Sequence, residues 1–210
     1  MITKTQYETF DSFFNYYNEK LFDGALNDCM IIVSQKKGIA GHFKAQAWKN
    51  KKTKNEQTVH EISLNPDLLD TTETGWQQTL VHEMAHLWQR DFGKPSRKGY
   101  HNAQWALKME EIGLMPSSTG KPGGKKTGQK MADYPIPDGP FMKAFNDLKG
   151  KNITYVSRAF IESVNIKTKI KTASRSKTQY TCPECGLNVW GKPEIRIMCL
   201  ECHKKLEQTN

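Results

Sequence analysis

His82-Glu83-Met84-Ala85-His86, with a further histidine at His101, decides how this chain of 210 residues is read. On an α-helix, residues four apart lie about 40° apart around the axis and one turn apart along it. His82 and His86 can therefore grip one ion from a single face. Glu83 stands beside them, placed to take a proton from an attacking water rather than to bind the metal. Three histidine ligands leave the fourth position of a tetrahedral zinc open, which separates a catalytic site from a structural one. The chemistry implied is metal-assisted hydrolysis.

The alternative is a pair of satisfied histidines on a surface helix, and the flanks argue against it. Trp76, Leu80, Val81, Met84, Leu87 and Trp88 recur at helical spacing around the motif, so the helix has a strongly apolar side. Thr72 or Thr74 is suited to cap its start and Gly93 to stop it. Residues 94–99 are turn-rich. His101 follows them at the head of a second helical pattern, where Trp105, Met109 and Ile112 form a stripe that Gly113 ends. A reversal there would bring His101 over the first two histidines. Histidine is the commonest metal-binding side chain, which favours His101 as third ligand. Glu110 and Glu111, two turns along, are the alternatives.

Several ordered stretches carry a family resemblance. They are residues 18–26 (Asn-Glu-Lys-Leu-Phe-Asp-Gly-Ala-Leu), the strand-like residues 61–66, Thr79 to His86, and His101 followed by Trp105. Residues 10–148 resemble the SprT-like zinc metallopeptidases, the group that includes the DNA–protein crosslink protease Spartan. The resemblance implies that His82, His86 and His101 bind a catalytic zinc and that Glu83 is the catalytic base. It also implies a zincin sheet whose edge holds an extended peptide through backbone hydrogen bonds. Where members of the family often have Gly-His-Gly at the third ligand, this chain has Tyr100-His101-Asn102.

A second metal signature lies in Cys182-Pro183-Glu184-Cys185 and Cys199-Leu200-Glu201-Cys202, two knuckles separated by thirteen residues. Four thiolates at this spacing close a tetrahedron, so the second zinc is structural. Val189-Trp190 and residues 194–198 are strand-like and suit a zinc ribbon. About thirty residues bury too little apolar surface to fold alone, so the metal supplies much of the stability. Two disulfides are the rival arrangement. Against it stand the absence of an N-terminal secretory signal and the odd thiol left at Cys29. His203, next to Cys202, is a spare ligand that four cysteines make unnecessary.

The expected fold is α+β: a zincin-like metallopeptidase domain over residues 1–150, a basic linker over 151–180, and a zinc ribbon over 181–210. Residues 5–21 read as an amphipathic helix with Phe10, Phe13, Phe14, Tyr17 and Leu21 on its core side. Residues 29–34, 39–48 and 59–64 read as strands, with a polar connection over 49–55. Residues 141–148 read as a short helix, and 153–156 and 165–170 as strands or tether.

No apolar stretch is long enough to span a bilayer, and an intracellular, cytoplasmic setting is expected, with nucleoid or nuclear association allowed. Residues 115–181 carry 13 Lys/Arg against 4 Asp/Glu, which accounts for the whole net charge of +9. The basic residues gather in 120–130 and 167–177. Such runs attract polyanions through salt-sensitive phosphate contacts, although many are only solvated linkers. Two functions fit: a protease acting on proteins bound or crosslinked to nucleic acid, and a nucleic-acid-binding regulatory zinc protein with little turnover. A processing protease for one specific partner is a third. Tyr100 and His42 have the chemistry of an oxyanion stabiliser, but they and His60 read more simply as structural or surface residues.

Overall fold

The computed structural model describes residues 1–49, 58–67, 74–148 and 178–209. Thr72, residues 50–55 of the polar connection, the runs 153–156 and 165–170, and the basic residues 167–177 lie outside them. The described residues fall into two compact units, one up to Leu148 and one from Thr178.

The first unit begins with helix α1 (Ile2–Leu21), whose core side is the expected one: Phe10, Phe13, Phe14, Tyr17 and Leu21 are buried. Phe10 and Phe13 close on Trp76 of helix α2 (Gly75–Phe92), with ring centroids 5.5 and 4.9 Å away. The Tyr17 hydroxyl donates to Gln77 Oε1 at 2.5 Å, giving its buried oxygen a partner. Asn18 folds the turn that follows: its side chain donates to the Leu26 carbonyl and accepts the Leu26 N–H, at 3.1 and 3.0 Å. The chain then enters a three-stranded sheet of β1 (Met30–Val33), β2 (Gly41–Lys49) and β3 (Thr58–Leu64), ordered β1-β3-β2. β3 pairs parallel with β1 and antiparallel with β2, so β2 is an edge. Ile62 and Leu64 point into the core beneath α2.

β2 changes register between Lys44 and Trp48, where Gln46 takes φ 50°. The Gln46 N–H donates to His60 Nδ1 (2.9 Å), which leaves His60 Nε2 to donate to Asp91 near the end of α2 (3.1 Å). His60 is thus a tie between sheet and helix, as its structural reading expected.

Thr74 occupies the N-cap of α2 but does not cap it with its side chain. Its hydroxyl donates instead to Gln78 Oε1 at 2.6 Å. Gly93 ends the helix in extended geometry. Helix α3 (Ala103–Glu111) then starts at Asn102, whose Oδ1 accepts the Trp105 N–H (3.1 Å) and a Gln89 amide hydrogen (2.7 Å). Asn102 Nδ2 donates to the Lys94 carbonyl. Asn102, one of the two residues that depart from the Gly-His-Gly pattern, therefore caps α3 and pins the reversal to α2. Gly113 ends α3 at φ +91°. A Cβ there would lie 2.7 Å from the Phe141 backbone nitrogen, so the position also needs glycine for close approach.

Strand β4 (Leu114–Ser117) pairs antiparallel with β5 (Ala132–Pro135), and helix α4 (Pro140–Asp147) packs Phe141 and Ala144 into the core. The basic run 120–130, placed within the metallopeptidase domain and read as an attractor of polyanions or a solvated stretch, is folded. The Ser117 hydroxyl donates to the Lys121 carbonyl, Ser118 and Lys125 exchange bonds, and Lys126 pairs with Glu110.

In the second unit, β6 (Thr178–Thr181) lies between β10 (Glu207–Thr209) and β7 (Asn188–Gly191), and β8 (Met198–Cys199) pairs with β9 (Lys204–Lys205). Only Met198 of the strand-like run 194–198 is in a strand. Glu194 takes φ 65° in a turn after Pro193, and the chain stays irregular to Ile197.

Replacing Asn102 by alanine should lower the stability of the first unit by about 1–2 kcal/mol, since it removes the cap and leaves the buried Gln89 amide only its longer bond to Gln104. Denaturant unfolding of wild type and variant measures the difference.

Candidate metal centre

Two adjacent turns of α2 present His82 and His86, and the start of α3 returns His101 to the same face. One nitrogen from each lies within 4.8 Å of the other two. His86 Nε2 and His101 Nε2 are 3.1 Å apart. Around a tetrahedral zinc with bonds of about 2.0–2.1 Å, nitrogens sit about 3.3 Å from one another, so the spacing fits. The alternative third ligands are engaged elsewhere: Glu110 with Lys126 and Glu111 with Lys108.

Two of the other ring nitrogens are held by acceptors. His82 Nδ1–H donates to Asp133 Oδ2 at 2.7 Å, and His101 Nδ1–H to the Gly128 carbonyl at 3.2 Å. Each bond fixes the tautomer that leaves Nε2 with a lone pair. The His101 backbone is clamped as well, since it exchanges N–H···O bonds with Gly128 at 2.9 and 3.1 Å. Beneath the triad lies the fully buried Trp105, with its ring centroid 4.4 to 5.2 Å from those of the three imidazoles.

Electrostatics suit ligands rather than free bases. Burial, then repulsion from His82 and His101, holds His86 well below the usual histidine range. Burial and His82 bring His101 down to about 4. For His82, burial opposes the charge, but the hydrogen bond and charge of Asp133 outweigh it and the net shift is upward. At 3.1 Å the Nε2 atoms of His86 and His101 can share one proton or hold one cation between them.

Glu83 is only 5% exposed. Burial pushes its carboxyl up to about 7, the His82 charge and the Phe43 backbone N–H pull it down, and Asp133 adds to the rise. It sits against Gly41 of β2, where a Cβ would lie 2.6 Å from the Thr79 methyl and 3.1 Å from Glu83 Oε1. Gly41 thus lets the edge strand pass directly over the carboxylate. Phe43, two residues on, stacks on His86 with centroids 6.4 Å apart.

His42, by contrast, pairs at 3.9 Å with Glu61, and Tyr100 lies under the Arg97 guanidinium. Neither belongs to the histidine cluster.

The chain matches the model of the SprT-like family over residues 10–123, from α1 through all three histidines. It belongs to the SprT-like family. No curated protein and no solved structure matches it. Asp133 lies beyond the matched stretch of the SprT-like fold, and sequence reading passed over it. It is fifty-one residues from His82 in sequence and reaches it only because β5 pairs with β4, setting Asp133 opposite Pro116.

The second unit gathers Cys182, Cys185, Cys199 and Cys202 with their sulfurs within 4.8 Å of one another. Cys185 and Cys199 sulfurs are 3.8 Å apart, as the edges of a tetrahedral zinc–thiolate site of about 2.3 Å bonds require. The cysteines form no disulfide. Backbone N–H groups of Cys185 and Glu184 point at Cys182 and help bring its thiol to about 7, easing the deprotonation that metal binding needs. The arrangement fits a zinc ribbon.

Asp133→Asn should weaken metal binding at the histidine cluster by about 10–100-fold and leave the cysteine cluster unchanged. Titration against a chelator of known affinity reads the two sites separately, and equal affinity at the histidine cluster would remove Asp133 from the site.

Proposed function

We propose that this chain is a zinc-dependent endopeptidase acting on proteins associated with or crosslinked to nucleic acid. The observation that carries the peptidase reading is the convergence of three imidazole nitrogens beside a buried carboxylate that is not one of the cluster. When bound by His82, His86 and His101, zinc supplies a Lewis acid that polarises a scissile carbonyl and acidifies water. Glu83 takes the proton of the attacking water and passes it to the leaving amine. A carboxyl pushed up to about 7 is suited to both transfers near neutral pH. Among the described residues no strand pairs with the outer edge of β2, which is open to an extended substrate and would align its carbonyl over the cluster. Cys182, Cys185, Cys199 and Cys202 hold a second, structural zinc.

Nucleic-acid association draws on the SprT-like membership and on charge. All of the net charge of +9 comes from residues 115–181, proposed to include a basic linker over 151–180 between a peptidase domain (1–150) and the ribbon (181–210). Among the described residues, no helix is long and apolar enough to cross a membrane. Four cysteines arranged for metal rather than disulfides suit an intracellular setting, in the cytoplasm or on the nucleoid or chromatin.

A second reading is a nucleic-acid-binding regulatory zinc protein with little turnover. It draws on the ribbon, where Trp190 is 58% exposed on β7 near Lys192 and offers a face for base stacking.

Glu83→Gln separates the two. The variant should keep both metals and the fold while cleavage of a DNA-binding protein falls by a hundredfold or more, on the scale of a lost general base. In the wild type, cleavage should rise on adding DNA and vanish with chelator. Equal, negligible cleavage by wild type and variant would favour the binding protein, and DNA-independent cleavage of one partner a processing protease.

A further inference from the structure

Two loops distant in sequence are joined beside His101, and both are basic. Lys94, Arg97 and Lys98 lie in the turn between α2 and α3, and Lys121, Lys125, Lys126 and Lys130 in the run between β4 and β5. The join is direct. His101 exchanges backbone bonds with Gly128, and the Gln129 amide donates to the Lys98 carbonyl at 3.2 Å. A Cβ at Gly99 would stand 2.6 Å from that amide nitrogen, so the loops touch there.

All of these cations are exposed, and neither residues 94–100 nor 118–131 include an Asp or Glu. Among the described residues, Lys126 alone of them has a carboxylate partner, Glu110. The sequence conceals half of the patch. Residues 1–114 carry 14 Lys/Arg against 14 Asp/Glu, so the cations at 94–98 disappear into a neutral sum. Folding adds them to the lysines of 120–130. Cations gathered without counter-charges repel one another, and a bound polyanion relieves the repulsion.

The details favour phosphates. Arg97 lies over the Tyr100 ring, 5.0 Å from its centroid, a stacking that orients the planar guanidinium for a bidentate phosphate contact. Gly123, between Lys121 and Lys125, takes φ +87°, and nothing lies within 4 Å of where its Cβ would stand. A bulky anion can therefore reach the backbone between the two lysines. The Ser117 and Ser118 hydroxyls already order this run, so binding need not pay for ordering it. An acidic protein segment carries its carboxylates on flexible side chains at irregular intervals. A duplex carries one charge per about 1.7 Å of axis, and such a repeat can engage an acid-free array spread over two loops.

Place gives the patch a consequence. The His101 ring also donates to the Gly128 carbonyl, so the array adjoins a residue of the histidine cluster. A protein attached to a strand held here would meet that cluster as an intramolecular substrate, at a raised effective concentration.

We propose that the two loops form a nucleic-acid docking surface on the first unit itself, which holds a phosphodiester backbone beside the metal centre. The inference rests on the nucleic-acid part of the reading above and not on its peptidase part.

Fluorescence anisotropy of the full-length, zinc-loaded protein with a short labelled oligonucleotide, single-stranded and duplex, tests this. The form that the wild type binds more tightly is compared across variants and salt concentrations. Arg97→Glu with Lys98→Glu should weaken binding at least about tenfold near 0.1 M salt. It should also lower the slope of log affinity against log salt by about 1.4 to 1.8, since each phosphate contact contributes about 0.7 to 0.9. Lys121→Glu with Lys125→Glu should do the same. Circular dichroism and zinc content establish folding, and the corresponding Gln pairs replace any reversal that misfolds. A matched reversal on α1, Lys4→Glu with Lys20→Glu, should leave the slope unchanged. Folded loop variants with wild-type affinity and slope, a loss equalled by the α1 control, or equally tight loop-dependent binding of a polyglutamate peptide overturn the docking surface alone. Absence of oligonucleotide binding by the wild type overturns the nucleic-acid reading and the surface with it.

Discussion

Three imidazoles, two from α2 and one from the residue before the α3 cap, meet above one tryptophan, and their convergence is the constraint around which the first unit is arranged. His101 is 9% exposed and Trp105 fills the space below the cluster. Protonation is opposed by burial. Yet the fold spends several devices on keeping the nitrogens together. Asn102 pins the reversal between the helices, Gly128 clamps His101 at backbone and ring, and Asp133 orients His82. Such effort to hold three imidazole nitrogens in contact has a physical rationale if a cation belongs among them.

The edge strand completes the arrangement from above. Without a side chain at residue 41, β2 lies close enough for the Phe43 N–H to reach Glu83, so the carboxylate is set by both sheet and helix. On the proposed peptidase reading, the strand that would pair with a substrate is also the one that positions the base, so substrate alignment and acid–base chemistry would depend on a single contact between β2 and α2.

Much of this was legible in the sequence because it is periodic. The 3.6-residue spacing of Trp76, Leu80, Val81, Met84 and Leu87 located α2, and the same period located the aromatic side of α1. The metal clusters were legible from residue type and short spacing. What stayed hidden depends on pairing between distant segments. Nothing local marks Asp133 as a partner of His82, since it arrives through the β4–β5 ladder. The order within the run 120–130 was not legible because glycine and lysine compose ordered turns and solvated linkers alike; the Ser117 and Ser118 hydroxyls before it make the difference. In the ribbon, the alternation of Ile195 and Ile197 imitated a strand where the Pro193-Glu194 turn prevents one.

The most direct measurement is a crystal structure of the zinc-loaded protein with anomalous diffraction collected across the zinc edge. The expected map has one zinc peak bonded to nitrogens of His82, His86 and His101 at about 2.0–2.1 Å, with its remaining position taken by solvent and Glu83 outside bonding range. A peak whose fourth ligand is a protein side chain, or a His101 ring turned away with no residue in its place, would contradict a hydrolytic centre.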